Sequence, residues 1–262
     1  RRLGRDYVLS MLVLLPPSET KVSGGEPGTS LDLSQLSFSA QNPVRSALLQ
    51  QVVELSGDET AALAALKLGP KGAPEVHRNQ EVLRSPVMPA LERYTGVLFD
   101  ALGVHDLEPE AQAWVEETLA VFSALFGLVR ASDPIPAYRL SFDSKLSGGP
   151  LAAQWAEVTA ELWEQVPDFV LDLRSEGYRK LAPVPPGQGV FVSLVKEGPA
   201  GSRKAVGHAN KSVKGALVRS LAITGAKCDS VEDVVAWGST HGYAFDRDSL
   251  REGVIDLVIS GS

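Results

Sequence analysis

Apolar residues recur along this chain in two rhythms. Leu12-Val13-Leu14-Leu15 is a continuous apolar run closed by Pro16-Pro17, the pattern of a short buried strand. From Asn42 the rhythm changes. Val44, Leu48, Val52 and Leu55 form one helical stripe, Pro43 suits a first turn, and Gly57 ends it. Asp58 is placed to cap a second helix carrying Leu63 and Leu66. Residues 21–30 are rich in Gly, Ser and Pro and read as a loop, residues 67–74 as a Gly/Pro turn, and residues 89–102 as mixed. Glu108-Pro109-Glu110 is a strong helix start. The helix it predicts carries Trp114, Val115, Thr118, Leu119, Phe122, Leu125 and Phe126, apolar around most of its circumference and therefore central to a core.

Asp133-Pro134-Ile135-Pro136 then imposes an extended path. Residues 151–166 read as one amphipathic helix with Trp155, Val158, Leu162 and Val166 on its buried face. Residues 169–173 and 189–195 read as strands, with 204–208 pairing to the second across a loop at 198–202. Residues 212–223 return to helical spacing, Ser230 caps a short helix to Trp237, and residues 254–259 make a last strand. Strands at both ends with helices between predict an α/β (mixed α+β) fold: a single domain over residues 11–262 with a mixed sheet flanked by helices and no internal repeat. Residues 1–10 read as an upstream extension and Met11 as a natural start.

The chain has 262 residues, 44% of them hydrophobic, enough to bury a core without disulfides or metal. Cys228 stands alone, which excludes an intramolecular disulfide and a Cys-cluster metal site and suits a reducing cytoplasm. His77, His105, His208 and His241 are scattered, so neither metal nor cofactor is expected. Trp114, Trp155, Trp163 and Trp237 read as core, and Cys228 as an inert thiol whose pKa the adjacent Lys227 would lower. No apolar run reaches the ~18 residues a membrane helix needs. A net charge of -7 argues against a protein coated in positive charge, but it leaves room for a local basic cleft. Such a reversal exists: from Lys196 to Lys227 the charged residues are Lys196, Arg203, Lys204, Lys211, Lys214, Arg219 and Lys227, against the single acid Glu197.

Three long blocks, 11–21 (MLVLLPPSETK), 122–146 (FSALFGLVRASDPIPAYRLSFDSKL) and 208–219 (HANKSVKGALVR), resemble the YaaA family of peroxide stress response proteins. Shorter blocks agree at 94–99 (YTGVLF), 172–178 (DLRSEGY) and 242–246 (GYAFD). The chain resembles a divergent branch, since Thr95, Val97, Ala124, Ala209 and Asn210 depart from the family pattern. The resemblance implies a positively charged cleft, a helix-hairpin-helix-like element, binding of double-stranded DNA without strong sequence preference, and a role in limiting iron-driven damage when peroxide rises.

Within these blocks the candidate phosphate-binding residues are Lys21, Arg130, Arg139, Lys145, Ser175, Lys211, Lys214 and Arg219. Lys211, Lys214 and Arg219 would lie near one another on a helix, either as a solvated basic face or opposite a phosphate backbone. The 124–127 turn is a candidate hairpin between two helices with free N–H groups, and Arg139 either meets an anion or pairs with Asp133 or Asp143. Ser18 and Lys21 follow a buried strand, where α/β folds place sites, and a desolvated Lys21 would be a nucleophile. Ser175 and Tyr178 repeat that arrangement after the 169–173 strand. If the chain is an enzyme, Lys21, Ser18 and His208 are the catalytic candidates, acting on a small phosphorylated or nucleotide-like ligand.

Overall fold

A computed structural model describes residues 11–198, 201–207 and 209–259. In chain order they form β1 (Leu12–Leu15), α1 (Asn42–Leu55), α2 (Glu59–Ala65), α3 (Ala73–Gln80), β2 (Met88–Pro89), α4 (Ala90–Arg93), α5 (Val97–Leu102) and α6 (Pro109–Thr118). Next come β3 (Leu119–Ser123), β4 (Gly127–Arg130), β5 (Pro134–Ile135), α7 (Leu151–Ala156), α8 (Thr159–Glu164), β6 (Val170–Asp172) and α9 (Glu176–Arg179). The chain closes with β7 (Gly189–Glu197), β8 (Arg203–Ala205), α10 (Ala209–Ile223), α11 (Val231–His241), β9 (Ala244–Arg251) and β10 (Val254–Ile259).

One mixed sheet runs in the order β4-β3-β1-β6-β7-β10-β9, with β8 paired to β7 beside it. The central strands β3, β1, β6, β7 and β10 are mutually parallel, while β4, β8 and β9 run antiparallel to their neighbours. Every residue of β1, β3 and β6 is buried, which explains their unbroken apolar runs: a parallel sheet is covered on both faces. Val13 lies between Leu119 on β3 and Leu171 on β6. Asp58 caps α2 by accepting the N–H of Ala61, and Ser230 caps α11 by accepting that of Asp233, as their positions predict.

Four local expectations are corrected. The helix from Pro109 ends at Thr118, and the apolar stretch beyond it is a β3–β4 hairpin. An uninterrupted apolar run fits a buried strand as well as a buried helix, and here the place beside β1 decides. The reversal at 124–127 therefore joins two strands rather than two helices. Its N–H groups are not free, because Leu125 and Phe126 both donate to Ser123 Oγ at 3.1 and 3.0 Å. Gly127 has φ +62°, and a Cβ there would lie 2.1 Å from Gln41 Oε1. Residues 151–166 form two helices, not one, and residues 73–80 within and after the expected turn form α3.

The free edge of β4 is covered by polar side chains at the start of α1, Gln41 just before it and Arg45 in its first turn. Gln41 pairs with Leu128 like a strand, its Nε2 donating to the carbonyl and its Oε1 accepting the N–H. Fully buried Arg45 donates to the carbonyls of Phe126 and Leu128 at 2.7 Å each. On the other side, α10 lies so close to α5 that a Cβ on Gly215 would meet Leu98 O at 2.1 Å. Gly215→Ala should therefore push the two helices apart and cost about 1–3 kcal/mol, read as a lower urea midpoint with an unchanged slope.

Candidate functional site

Because β3, β1 and β6 are parallel, their carboxyl ends share one edge of the sheet, the edge where open α/β folds bind ligands. Three segments leave it: Ser18-Glu19-Thr20-Lys21 after β1, Ser123 at the end of β3, and Asp172-Leu173-Arg174 after β6. Lys21 forms an isolated bridge with Tyr94, and Arg93 fixes the chain just beyond. The Arg93 guanidinium is fully buried and donates to the carbonyls of Val22, Gly24, Pro86 and Ile135.

Lys21 is 8% exposed. Its Nζ donates to the carbonyls of Ser18 at 2.8 Å and Glu19 at 3.3 Å, and it lies 4.2 Å from the Tyr138 ring centroid and 5.5 Å from that of Tyr94. Carbonyls and ring faces favour an ammonium. Burial and the nearby Arg139 guanidinium oppose it more strongly, and the pKa falls to about 7. The Ser-x-x-Lys spacing thus places the amine on the carbonyl of Ser18, while the Ser18 hydroxyl donates to Thr20 O and accepts from the Thr95 N–H.

A chain of hydroxyls stands against this amine. Ser123 Oγ has both lone pairs taken by N–H groups, so its proton goes to Tyr138 Oη at 2.6 Å. Tyr138 Oη and Tyr94 Oη share the next hydrogen bond at 2.8 Å, in which either can donate. Burial raises both phenol pKa values, so both keep their protons. Tyr94 is the last member, with no hydrogen-bond partner for its hydroxyl other than Tyr138 among the described residues.

On the other side, the buried Asp172 carboxylate accepts from Arg174 Nη2 at 2.8 Å and Nε at 2.9 Å, and Arg174 also donates to the carbonyls of Tyr178 and Ala182. Lys214, 5% exposed, donates to Arg174 O at 3.1 Å, and burial lowers its pKa to about 8. Tyr178 stands between the halves. Its carbonyl takes Arg174, its ring packs on Phe142, and burial, with Tyr138 and Glu19 nearby, raises its pKa. Neither Lys21 nor Lys214 touches a carboxylate among the described residues.

Arg139 is at this site, its guanidinium on Glu19 Oε2 at 3.1 Å rather than on Asp133 or Asp143. Ser175 and Lys211 are exposed beside Arg174 and Lys214, and Lys145 is exposed with its N–H on Ala65 O. Two expected residues lie elsewhere. Arg130 ends β4 opposite Ala120, at the far edge of the sheet, and donates to Glu117 O. Arg219 closes the end of α5 by donating to the carbonyls of Leu102 and Gly103, so it does not join Lys211 and Lys214 in one free basic face. Arg203 is neutralised by Asp246 and Asp256. His208 lies outside the described residues. Lys227 does not lower the Cys228 pKa: burial, with Asp233 and Asp229, raises it to about 11. Trp114, Trp155 and Trp163 are core as expected, but Trp237 is half-buried and stacks on His241 and Tyr243.

Tyr94, Tyr138, Ser123 and Asp172 were not among the sequence candidates. Asp172 carried a usable signal, an acid ending an apolar strand, the same argument that singled out Ser18. A cavity of about 230 Å³ borders Tyr94 and Thr95, but Glu92, Asp100 and Asp106 line it without Lys or Arg, so it does not suit an anion. No group of three or more His, Cys, Asp or Glu side chains among the described residues is placed to hold a metal.

A model of the family described as peroxide stress protein YaaA matches residues 11–249. The chain belongs to this family. A UPF0246 protein of Corynebacterium glutamicum is 40% identical over 95% of this chain and 100% of its own length. One from Streptomyces coelicolor is 40% identical over 93% of this chain and 95% of its own. An uncharacterized protein of Campylobacter jejuni is 26% identical over 79% of this chain and 83% of its own. No helix among the described residues of this family member is long and apolar enough to cross a membrane.

Two predictions follow from the buried charges. Lys21 binds fewer protons folded (pKa about 7) than unfolded (about 10.4), so its burial destabilises the fold below pH 7 and this penalty is relieved between pH 7 and about 10. Stability should rise with pH across that window, and Lys21→Met should delay the rise to about pH 8, where Lys214 begins to titrate; urea melts at a series of pH values measure it. Asp172→Asn leaves Arg174 buried without its anion and should cost about 3–5 kcal/mol in the same melts.

Proposed function

We propose that this chain serves the peroxide stress response by holding a small phosphorylated or nucleotide-like ligand at the carboxyl edge of β3, β1 and β6. One observation carries the reading: two buried lysines, Lys21 and Lys214, meet only carbonyls and ring faces, with no carboxylate in contact. A buried cation without an anion is costly, and a phosphate arriving from solvent supplies the missing charge. Arg139 adds a guanidinium whose partner Glu19 has a 65% exposed side chain and is therefore readily displaced. Tyr94 offers a hydroxyl donor, and Ser175 and Lys211 stand at the rim.

A second reading is duplex DNA bound through its phosphates, limiting iron-driven damage indirectly. The exposed Lys145 and Lys211, together with the family, favour it. The acidic net charge and the internal engagement of Arg130, Arg203 and Arg219 weigh against a broad basic surface.

Titration calorimetry with adenosine 5′-monophosphate separates the readings. Its phosphate is almost fully ionised above pH 7. At pH 8 binding should draw a proton onto Lys21, seen as a heat that depends on the buffer's ionisation enthalpy, and Lys21→Met should weaken it roughly tenfold or more. Binding indifferent to Lys21 and Lys214, or none, sinks the nucleotide reading. A labelled DNA duplex whose affinity falls steeply with salt and is weakened by Lys145→Ala with Lys211→Ala supports the second.

A further inference from the structure

Lys21 combines features that anion binding alone does not require. Its amine is withdrawn from water, held against two aromatic faces and two carbonyls, and makes no ion pair, while burial and Arg139 outweigh the pull of Glu75 and Glu19. A hydroxyl chain belongs to the same two rings: Ser123 donates to Tyr138, and Tyr138 shares a hydrogen bond with Tyr94 at the chain's end. With Tyr138 as the donor in that bond, Tyr94 Oη keeps a proton to give. Arg139 stands close enough to influence the amine, on a partner exposed enough to yield. An amine, a hydroxyl donor and a guanidinium at one strand edge are the three groups needed to attack a carbonyl, polarise its oxygen and hold an attached anion.

We propose that Lys21 is a nucleophile that condenses with the carbonyl carbon of a small anionic aldehyde or keto acid, with Tyr94 donating to the carbonyl oxygen and Arg139 holding the anionic group. The Lys21 nitrogen forms a bond to the carbonyl carbon, giving a carbinolamine. The carbonyl oxygen then leaves as water, carrying two protons that began on the amine, and a C=N bond remains. No electrons are transferred and no co-reactant is consumed. The proposal rests on the anion-site reading and narrows its ligand to one bearing a carbonyl.

The test uses glyoxylate, which carries an aldehyde and a carboxylate, with cyanoborohydride to reduce the imine to a stable carboxymethyl-lysine located by peptide mass spectrometry. At pH 7.5 an amine of pKa about 7 is roughly three-quarters unprotonated, against roughly 0.1% for an exposed lysine. Labelling should therefore fall first on Lys21, at least about tenfold faster than on exposed lysines such as Lys145 and Lys211, and its rate should level off above pH 7 while theirs keep rising. Lys21→Arg should abolish the fast label. Tyr94→Phe should slow it about tenfold, and Arg139→Gln should raise the glyoxylate concentration needed. Labelling spread over exposed lysines with Lys21 spared in the folded wild-type chain overturns the proposal. If adenosine 5′-monophosphate still binds in that case, the anion-site reading survives alone. If Lys21 labels rapidly but the nucleotide neither binds nor protects it, the covalent reading stands and the phosphate assignment falls.

Discussion

β1 has no free edge. Pairing with β3 on one side and β6 on the other consumes its hydrogen-bonding groups, and both faces of its four residues are buried. The parallel direction of those pairings fixes everything at the candidate site. It brings Ser18, Ser123 and Asp172 to one edge although the sequence separates them by about 150 residues. Because both faces of these strands are apolar, a one-residue slip in either pairing would be felt chiefly in packing and in the separation of the site residues at the strand ends.

The site itself is assembled largely from buried polar groups satisfied by the main chain or by a neighbour. Arg174 is held by Asp172 and two carbonyls, Arg93 by four carbonyls, and Tyr138 by Ser123 and Tyr94. Such networks fix geometry because a half-made one leaves a buried charge or donor without a partner. Lys21 and Lys214 depart from that rule in kind, since each donates to carbonyls without an ion pair, and the nearest carboxylates, Glu75 and Glu19 for one and Asp172 and Glu176 for the other, only partly offset the burial of their charge. That distinction separates a network that only positions its members from the two amines on which the proposed anion site rests.

Much of the architecture was legible along the chain. Unbroken apolar runs marked β1, β6 and β7, helical stripes marked α1 and α10, and Asp58 and Ser230 marked two helix starts. The stretch from Leu119 to Phe126 was not legible, because an apolar run has no period, and only its place beside β1 makes it a strand. Of the candidate residues, Lys21, Arg139, Ser175, Lys211 and Lys214 come to one edge. Arg130 and Arg219 do not, because a basic residue in a sequence does not reveal whether it faces solvent or closes a neighbouring helix. The tyrosine chain escaped notice for the same reason: a hydroxyl's role depends on partners 15 and 44 residues away.

Cys228 is the chain's one thiol, 1% exposed, and its surroundings hold it in the protonated form at neutral pH. Thiolates, not thiols, are what oxidants attack. Of the two methionines, Met11 is sealed in the core at 2% exposure. A member of a peroxide stress family built this way carries almost no sulfur within an oxidant's reach. Of its three sulfur atoms, only that of Met88 belongs to a side chain that is partly open to solvent.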